Sequence, residues 1–375
     1  MKHQFRINNR IAKTFAKKLT SVCLVAGMAL GLTACGAGED NDSSSNDKLQ
    51  IVTTIFPEYD WVREIVGQGQ SSVDTSPADS VEVSMLLDKG TDLHSYQPTA
   101  ADIAKISTCD VFIYVGGESD AWVDDALKEA LNKDMVVIDL MEVLGDSVKE
   151  EELVEGMECE EENEENEASE EDASETDEEE PQDGEGHHHD DRDIEYDEHI
   201  WLSIRNAETL TEKIAETLET KDTVNATAYK ANAAAYIEKL SALDAEYQSA
   251  VDAKTVDTIL FGDRFPFRYM VDDYGINYYA AFVGCSAETE ASFETIIFLS
   301  EKVNELKLPA ICTIEKGEQD IAKAVRDNTD SKDQEILTLN SLQSVTPADI
   351  EAGTSYLQIM TDNLSVLKKA LGVSE

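Results

Sequence analysis

The chain has 375 residues, 41% of them apolar, which is enough for two domains with cores of their own. Its formal net charge of −49 excludes nucleic acid and anionic membrane as natural partners and favours cations. The imbalance is local: between Asp146 and Glu198 stand 28 Asp and Glu against one Lys and one Arg, with few large apolar residues. That composition predicts a disordered, solvated loop over 146–196.

In chain order, Lys13, Lys17 and Lys18 precede an apolar run from Leu19 to Leu32 and then the sequence LTAC, Leu32–Cys35. A basic region, a short apolar stretch and small residues before a cleavage point describe a secretory signal peptide over 1–34; the run is short for a membrane span. The LTAC ending resembles a bacterial lipobox, with Cys35 as the lipidated first residue of the mature chain. The polar stretch over 35–48 then reads as a flexible tether.

From Leu49 strand-like and helix-like segments alternate. KLQIVTTIF is an apolar strand, and PEYDWVREIVG a helix opened by Pro57 and closed by Gly67. VEVSMLL is a second strand, Thr99 and Asp102 have capping-box spacing before IAKI, and DVFIYVGG and MVVIDL are further short β-rich runs. After the acidic stretch, Ser203 is placed to cap a helix through Leu218. NATAYKANAAAYIEKLSALDAEYQSAV holds no Gly or Pro, so one long helix is expected over 223–252. A second alternating set follows: DTILF, a helix around RYMVDDY, INYYAAF, a helix over Ser292–Leu306, AICTI, a helix over Gln319–Asn328, EILTL and a last helix over Thr354–Leu371. Alternation of this kind predicts an α/β class with mainly parallel sheets. The expected architecture is two similar α/β lobes, 49–222 and 253–375, joined by one long rigid helix, with a binding site in the cleft between them.

Four of the six histidines fall in GEGHHHDDRDIEYDEHIWLS, residues 184–203. His187, His188 and His189 lie within the acidic run, whereas His199 stands just before a helix. His94, in MLLDKGTDLHSYQPT, follows a strand and a Gly turn. Two loop histidines at such positions in a cation-biased chain are candidate metal ligands, suited to zinc, or to manganese where oxygen donors dominate. Cys109, Cys159, Cys285 and Cys312 match no zinc spacing, and buried free thiols are expected at Cys109 and Cys312. No HExxH or GxSxG motif points to hydrolysis.

The motifs IVTTIFPEYDWVREIVG, GTDLHSYQPTAADIAKISTCDVFIYVGGESDAWV, DEHIWLSIRNAETLTEKI, SAETEASFETI and SYLQIMTDNLSVL, in that order, resemble the ZnuA/AdcA-like zinc and manganese substrate-binding lipoproteins of bacterial ABC importers. The resemblance implies an extracytoplasmic receptor, not an enzyme, that captures Zn2+ or Mn2+ and hands it to an ABC permease and its ATPase. It implies a monomer, anchored to the membrane through an N-terminal lipid, with an adhesin role in some relatives. His94 and His199 take the first two ligand positions, and Ile204 stands where Pro is common. The third ligand position aligns with Gly262, which leaves Asp263 as the nearest donor, either as a ligand or in a turn or ion pair with Arg264 or Arg268. The fourth aligns with Asn340, with Glu315 facing the same cleft by topology. The resemblance also makes His187–His189 an accessory, weakly binding loop, with an inert solvated segment as the alternative.

Overall fold

The computed structural model describes residues 48–157, 195–286, 290–315 and 319–373. The expected leader and most of the tether, together with Cys35, Cys159 and His187–His189, lie outside the described residues. No described helix is long and apolar enough to cross a membrane.

Four short strands build the first sheet: β1 (Leu49–Thr53), β2 (Val81–Met85), β3 (Val111–Tyr114) and β4 (Val136–Asp139), in the order β2-β1-β3-β4 and all parallel. They are apolar, and their crossovers are helices, as parallel pairing requires. α1 (Phe56–Ile65) follows β1, and Glu58 reaches back from its first turn to accept the Thr54 amide at 2.8 Å. α2 (Ala100–Thr108) carries the expected Thr99/Asp102 capping box. α3 (Val123–Lys128) and α4 (Leu140–Leu144) complete this part, and α5 (Ile204–Lys221) starts at Ser203, whose hydroxyl accepts the Asn206 amide at 3.0 Å.

α6 (Ala226–Asp252) is the long Ala-rich helix, about 40 Å of it at the usual rise. It packs along α5 and α1 and buries Tyr229, Tyr236 and Tyr247. The second sheet repeats the first: β5 (Thr258–Phe265), β6 (Asn277–Val283), β7 (Ala310–Ile314) and β8 (Glu335–Leu339), in the order β6-β5-β7-β8 and again all parallel. Its helices are α7 (Arg268–Tyr274), α8 (Phe293–Leu306), α9 (Asp320–Asn328), α10 (Pro347–Glu351) and α11 (Tyr356–Ala370).

One contiguous apolar core runs through both lobes by way of α6 and α11, and a second, smaller cluster fills the space between β5, β6, β7, α8 and α9. Hydrogen bonds cross between the lobes as well: Trp201 Nε1 donates to the Ser341 carbonyl, the Tyr356 hydroxyl to the Trp201 carbonyl, and the Tyr356 amide to Asp60, each at 2.8 Å.

The ends of the acidic stretch differ from the expectation of a disordered loop starting at 146. Gly145–Ser147 is a 3-10 turn, Glu150 pairs with Tyr196 in an antiparallel bridge, and the Glu151 amide donates to the Glu195 carbonyl at 2.9 Å. Lys149 and Glu152 are held by the second lobe: the Lys149 amide donates to the Tyr269 hydroxyl, and Glu152 pairs with Arg268. Charge density marked these residues as solvated, but their partners are basic and phenolic groups far along the sequence.

Candidate metal centre

His94 is placed by a series of local constraints. β2 ends at Met85, the chain turns at Gly90, and Asp92 caps a 3-10 turn over Leu93–Ser95 by accepting the His94 amide at 3.1 Å. Leu93 is buried and donates its amide to Gln343 of the second lobe at 3.2 Å, which seats the turn in the cleft. The imidazole Nδ1 lies 2.9 Å from Ser119 Oγ and 3.4 Å from Glu198 Oε2. Burial pushes the Glu198 carboxyl up, but the neighbouring His94 imidazole and Ser119, whose amide donates to Oε1 at 2.8 Å, more than offset it, leaving it below the usual range. Asp120, close behind, goes the other way: burial lifts it to about 7 against the pull of the Gly116 amide, and the charge of Glu198 adds to the rise.

His199 comes from the turn before α5 and is fully buried. Its Nδ1 donates to Asp197 Oδ1 at 2.9 Å, and the same oxygen accepts the His199 amide at 2.8 Å. Gly284 makes room for the ring, since a Cβ there would lie 3.0 Å from His199 Cε1 and 2.9 Å from the Phe265 carbonyl. A carboxylate behind a histidine sets its tautomer and leaves Nε2 bare.

The two Nε2 atoms are 3.2 Å apart. With its Nδ1 proton on Asp197, His199 turns the lone pair of Nε2 toward Nε2 of His94, so both nitrogens can face a single ion. A tetrahedral zinc ion, with Zn–N about 2.0–2.1 Å, separates two of its nitrogens by roughly 3.3–3.4 Å. A cavity of about 310 Å³ opens beside the pair, lined by His94 and Ser119, by Cys285, and by the carboxylates of Glu118, Glu151, Glu195 and Glu198. One donor atom from each of His94, His199 and Cys285 lies within 4.8 Å of the other two.

Asp263 and Glu315 are not in that group. Asp263 accepts the Arg264 amide at 2.9 Å on one oxygen and the Ile314 amide at 3.1 Å on the other. Glu315 accepts the Ser341 amide at 2.6 Å and its hydroxyl at 2.8 Å. Both carboxylates tie the strand ends of their own sheet together. Gly262 holds no donor for a steric reason: a Cβ there would sit 2.5 Å from the Ala322 backbone of α9. Asn340 Oδ1 accepts the Leu342 amide at 2.8 Å. Arg264 turns instead to Asp92, beside His94, and to the Ser286 carbonyl at 3.4 Å, beside Cys285.

Over residues 51–370 the chain matches the family model for ZnuA, zinc-uptake complex component A periplasmic. The chain belongs to this family. It is 32% identical over 354 residues to the zinc-binding lipoprotein AdcA of Streptococcus pneumoniae serotype 4, covering 94% of this chain and 61% of that protein. It is 28% identical over 357 residues to the high-affinity zinc uptake system protein ZnuA of Bacillus subtilis, covering 95% and 98%. The chain therefore spans about three-fifths of the length of AdcA and nearly all of the Bacillus protein. Among solved structures, the Zn(II)-bound ZnuA-like domain of S. pneumoniae AdcA superposes with a TM-score of 0.61 at 26% identity, over 86% of this chain and 99% of that one. The metal-dependent lipoprotein YcdH of B. subtilis shares the fold at 23% identity with a TM-score of 0.63, over 87% and 100%.

Sequence reasoning singled out His94 and His199 and passed over Cys285, Ser119 and the two acids behind the rings. Asp197 and Glu198 were within view, since they stand beside His199 in DEHIW.

Proposed function

We propose that this protein is a receptor that captures Zn2+ outside the cytoplasmic membrane and delivers it to an ABC permease and its ATPase. The reading is carried by the converging Nε2 atoms of His94 and His199, 3.2 Å apart, each ring held from behind by hydrogen bonds on Nδ1. Membership of a zinc-uptake family and the zinc-binding names of the relatives support the ion and the transport role. The mechanism is one of coordination and release with no chemical step: the acids around the cavity draw in a hydrated cation, and the imidazoles replace part of its water. Manganese is the alternative cargo.

In this reading the leader over 1–34 is removed, Cys35 carries a lipid, and the monomeric body, lobes 49–222 and 253–375 bridged by 223–252, is tethered to the outer face of the membrane. The lipoprotein name of the S. pneumoniae relative supports that location. His187–His189 serve as a secondary collecting segment. Calorimetric titration of the metal-free protein with zinc, beside His94→Ala and His199→Ala, tests the reading. One tight site in the wild type and its loss in both variants is expected; wild-type affinity in both would overturn it.

A further inference from the structure

Two imidazoles leave a tetrahedral ion short of donors; of the positions at which the family resemblance sought a third and fourth ligand, Gly262 has no side chain and Asn340 Oδ1 already accepts the Leu342 amide. We infer that Cys285 supplies the third ligand as a thiolate, so that the site is a mixed nitrogen–sulfur centre selective for zinc-like, thiophilic divalent ions over manganese. This rests on the metal-receptor reading above and names the chemistry of its site.

Three observations carry it. The donor atoms of His94, His199 and Cys285 lie within 4.8 Å of one another, whereas a tetrahedral zinc with Zn–N about 2.0–2.1 Å and Zn–S about 2.3 Å spaces its donors roughly 3.3–3.6 Å apart. The sulfur thus needs only a small inward movement, which a half-buried residue just beyond β6 can make. Secondly, the loop is held toward the histidines. The Cys285 amide donates to Glu151 Oε1 at 3.3 Å, Arg264 joins the Ser286 carbonyl to Asp92 beside His94, and Gly284 lets the chain touch the His199 ring. Thirdly, Glu198 Oε2 is buried, accepts no hydrogen bond from the described residues, and lies 3.4 Å from His94 Nδ1. An acid left waiting behind a histidine is what a metallated imidazole, with its more acidic N–H, would engage.

The ion itself occupies the space between the three donors, and the thiol proton leaves to solvent as the metal–sulfur bond forms. Sulfur favours zinc, cadmium and cobalt over manganese, whose preferred donors are oxygen atoms. The remaining position is filled by water or by Glu151, whose carboxylate already accepts the Cys285 amide.

Cobalt(II) titration of the full chain, followed by absorption, tests this alongside Cys285→Ser and His94→Ala, with circular dichroism as the check on folding. The wild type should show a near-ultraviolet sulfur-to-cobalt charge-transfer band together with tetrahedral d–d bands. Cys285→Ser should still bind cobalt but lose the charge-transfer intensity. Its preference for zinc over manganese, from competition titrations, should fall at least tenfold. A charge-transfer band and a zinc preference unchanged in Cys285→Ser, or a wild-type spectrum with d–d bands and no sulfur band, would overturn the inference while leaving the histidine pair intact. Wild-type cobalt binding in His94→Ala would strike at the receptor reading instead, and a wild type that binds no cobalt would overturn both.

Discussion

The two sheets share one strand order, in which the second strand flanks the first and the third and fourth follow on the other side, yet their loops have been put to different uses. In the first lobe the loop after the second strand presents His94, and the segment before α5 presents His199, with Ser119, Asp197 and Glu198 positioned behind the rings. In the second lobe the strand-end acids are consumed within the lobe: Asp263 on the Arg264 and Ile314 amides, Glu315 on Ser341. Among the described residues, the loop after its second strand brings a donor, Cys285, to the histidine pair. A carboxylate at a strand end is therefore not a cleft ligand by virtue of topology. Where it finds backbone amides at hydrogen-bond distance, it serves the fold.

The sharpest break in this comparison comes from pairing substitutions across the lobes. His94→Ala or His199→Ala should weaken zinc by about a hundredfold or more, a loss of ~3 kcal/mol. Asp263→Asn and Glu315→Gln should change zinc affinity by about threefold at most and act chiefly on stability, because charged, half-buried acceptors of their own sheet's amides are what is weakened. Isothermal titration gives the affinities and urea unfolding the stabilities. A large affinity loss in either second-lobe variant would return that carboxylate to the site.

A smaller effect separates holding a ring from binding the ion. Asp197→Asn keeps the size of the side chain but removes the charge behind His199. Zinc affinity should fall by about 10–100-fold, with the same stoichiometry. Unchanged affinity would mean that the burial of His199 alone fixes its tautomer.

Most of the secondary structure was legible because its signals are local. The apolar runs of β1, β3 and β7, the caps at Thr99 and Ser203, and the unbroken helix-forming stretch of α6 lie within short windows of sequence. His94 and His199 were legible because each sits alone in a loop next to a regular element. Cys285 was not, because its partners are distant in sequence and its spacing to other cysteines carries no pattern. The available signal was the repeat itself: once the second set of strands is matched to the first, Cys285 falls in the loop that corresponds to that of His94. The self-satisfied state of Asp263 and Glu315 had no sequence signal, since it depends on which amides the β7 and β8 ends bring near.

The contact between lobes can be probed through Asp60 on α1, which accepts the amide of Tyr356 at the start of α11. Burial lifts its carboxyl to about 7, against the pull of the Tyr356 amide and with a contribution from Glu64. Its folded value lies above the unfolded value near 4, so the stability it contributes is complete below about pH 4 and is lost as pH rises through 7. Asp60→Asn keeps an acceptor for Tyr356 and removes the titration. Metal-free Asp60→Asn should be more stable than the wild type by about 1–3 kcal/mol at pH 7.5 and little different at pH 4. Urea unfolding at both pH values measures this. Parallel pH dependence in the two proteins would place Asp60 in its charged form within the fold.

The smallest equilibrium effect is expected where the charge is greatest. Residues 158–193 contain 20 Asp and Glu against one Arg, and the histidines at 187–189. Their flanks are anchored at the cavity, because Glu151 and Glu195 line it and the Glu150–Tyr196 bridge joins the two sides. A deletion must therefore begin after Met157, since one that removed Glu151 and Glu152 would also remove contacts to Cys285 and Arg268. Replacing 158–193 with a short Gly-Ser linker should leave the tight zinc site within about twofold of wild type, because His94, His199 and Cys285 all lie outside the replaced segment. The weak additional sites should disappear. Capture should slow several-fold at low ionic strength, since a strongly negative neighbour raises the local cation concentration, and the difference should shrink as the Debye length falls to about 8 Å at physiological salt. Stopped-flow binding across a salt series separates the two contributions. A rate difference that persists in high salt would point to direct coordination by the segment during capture, and loss of the tight site would make its histidines primary ligands.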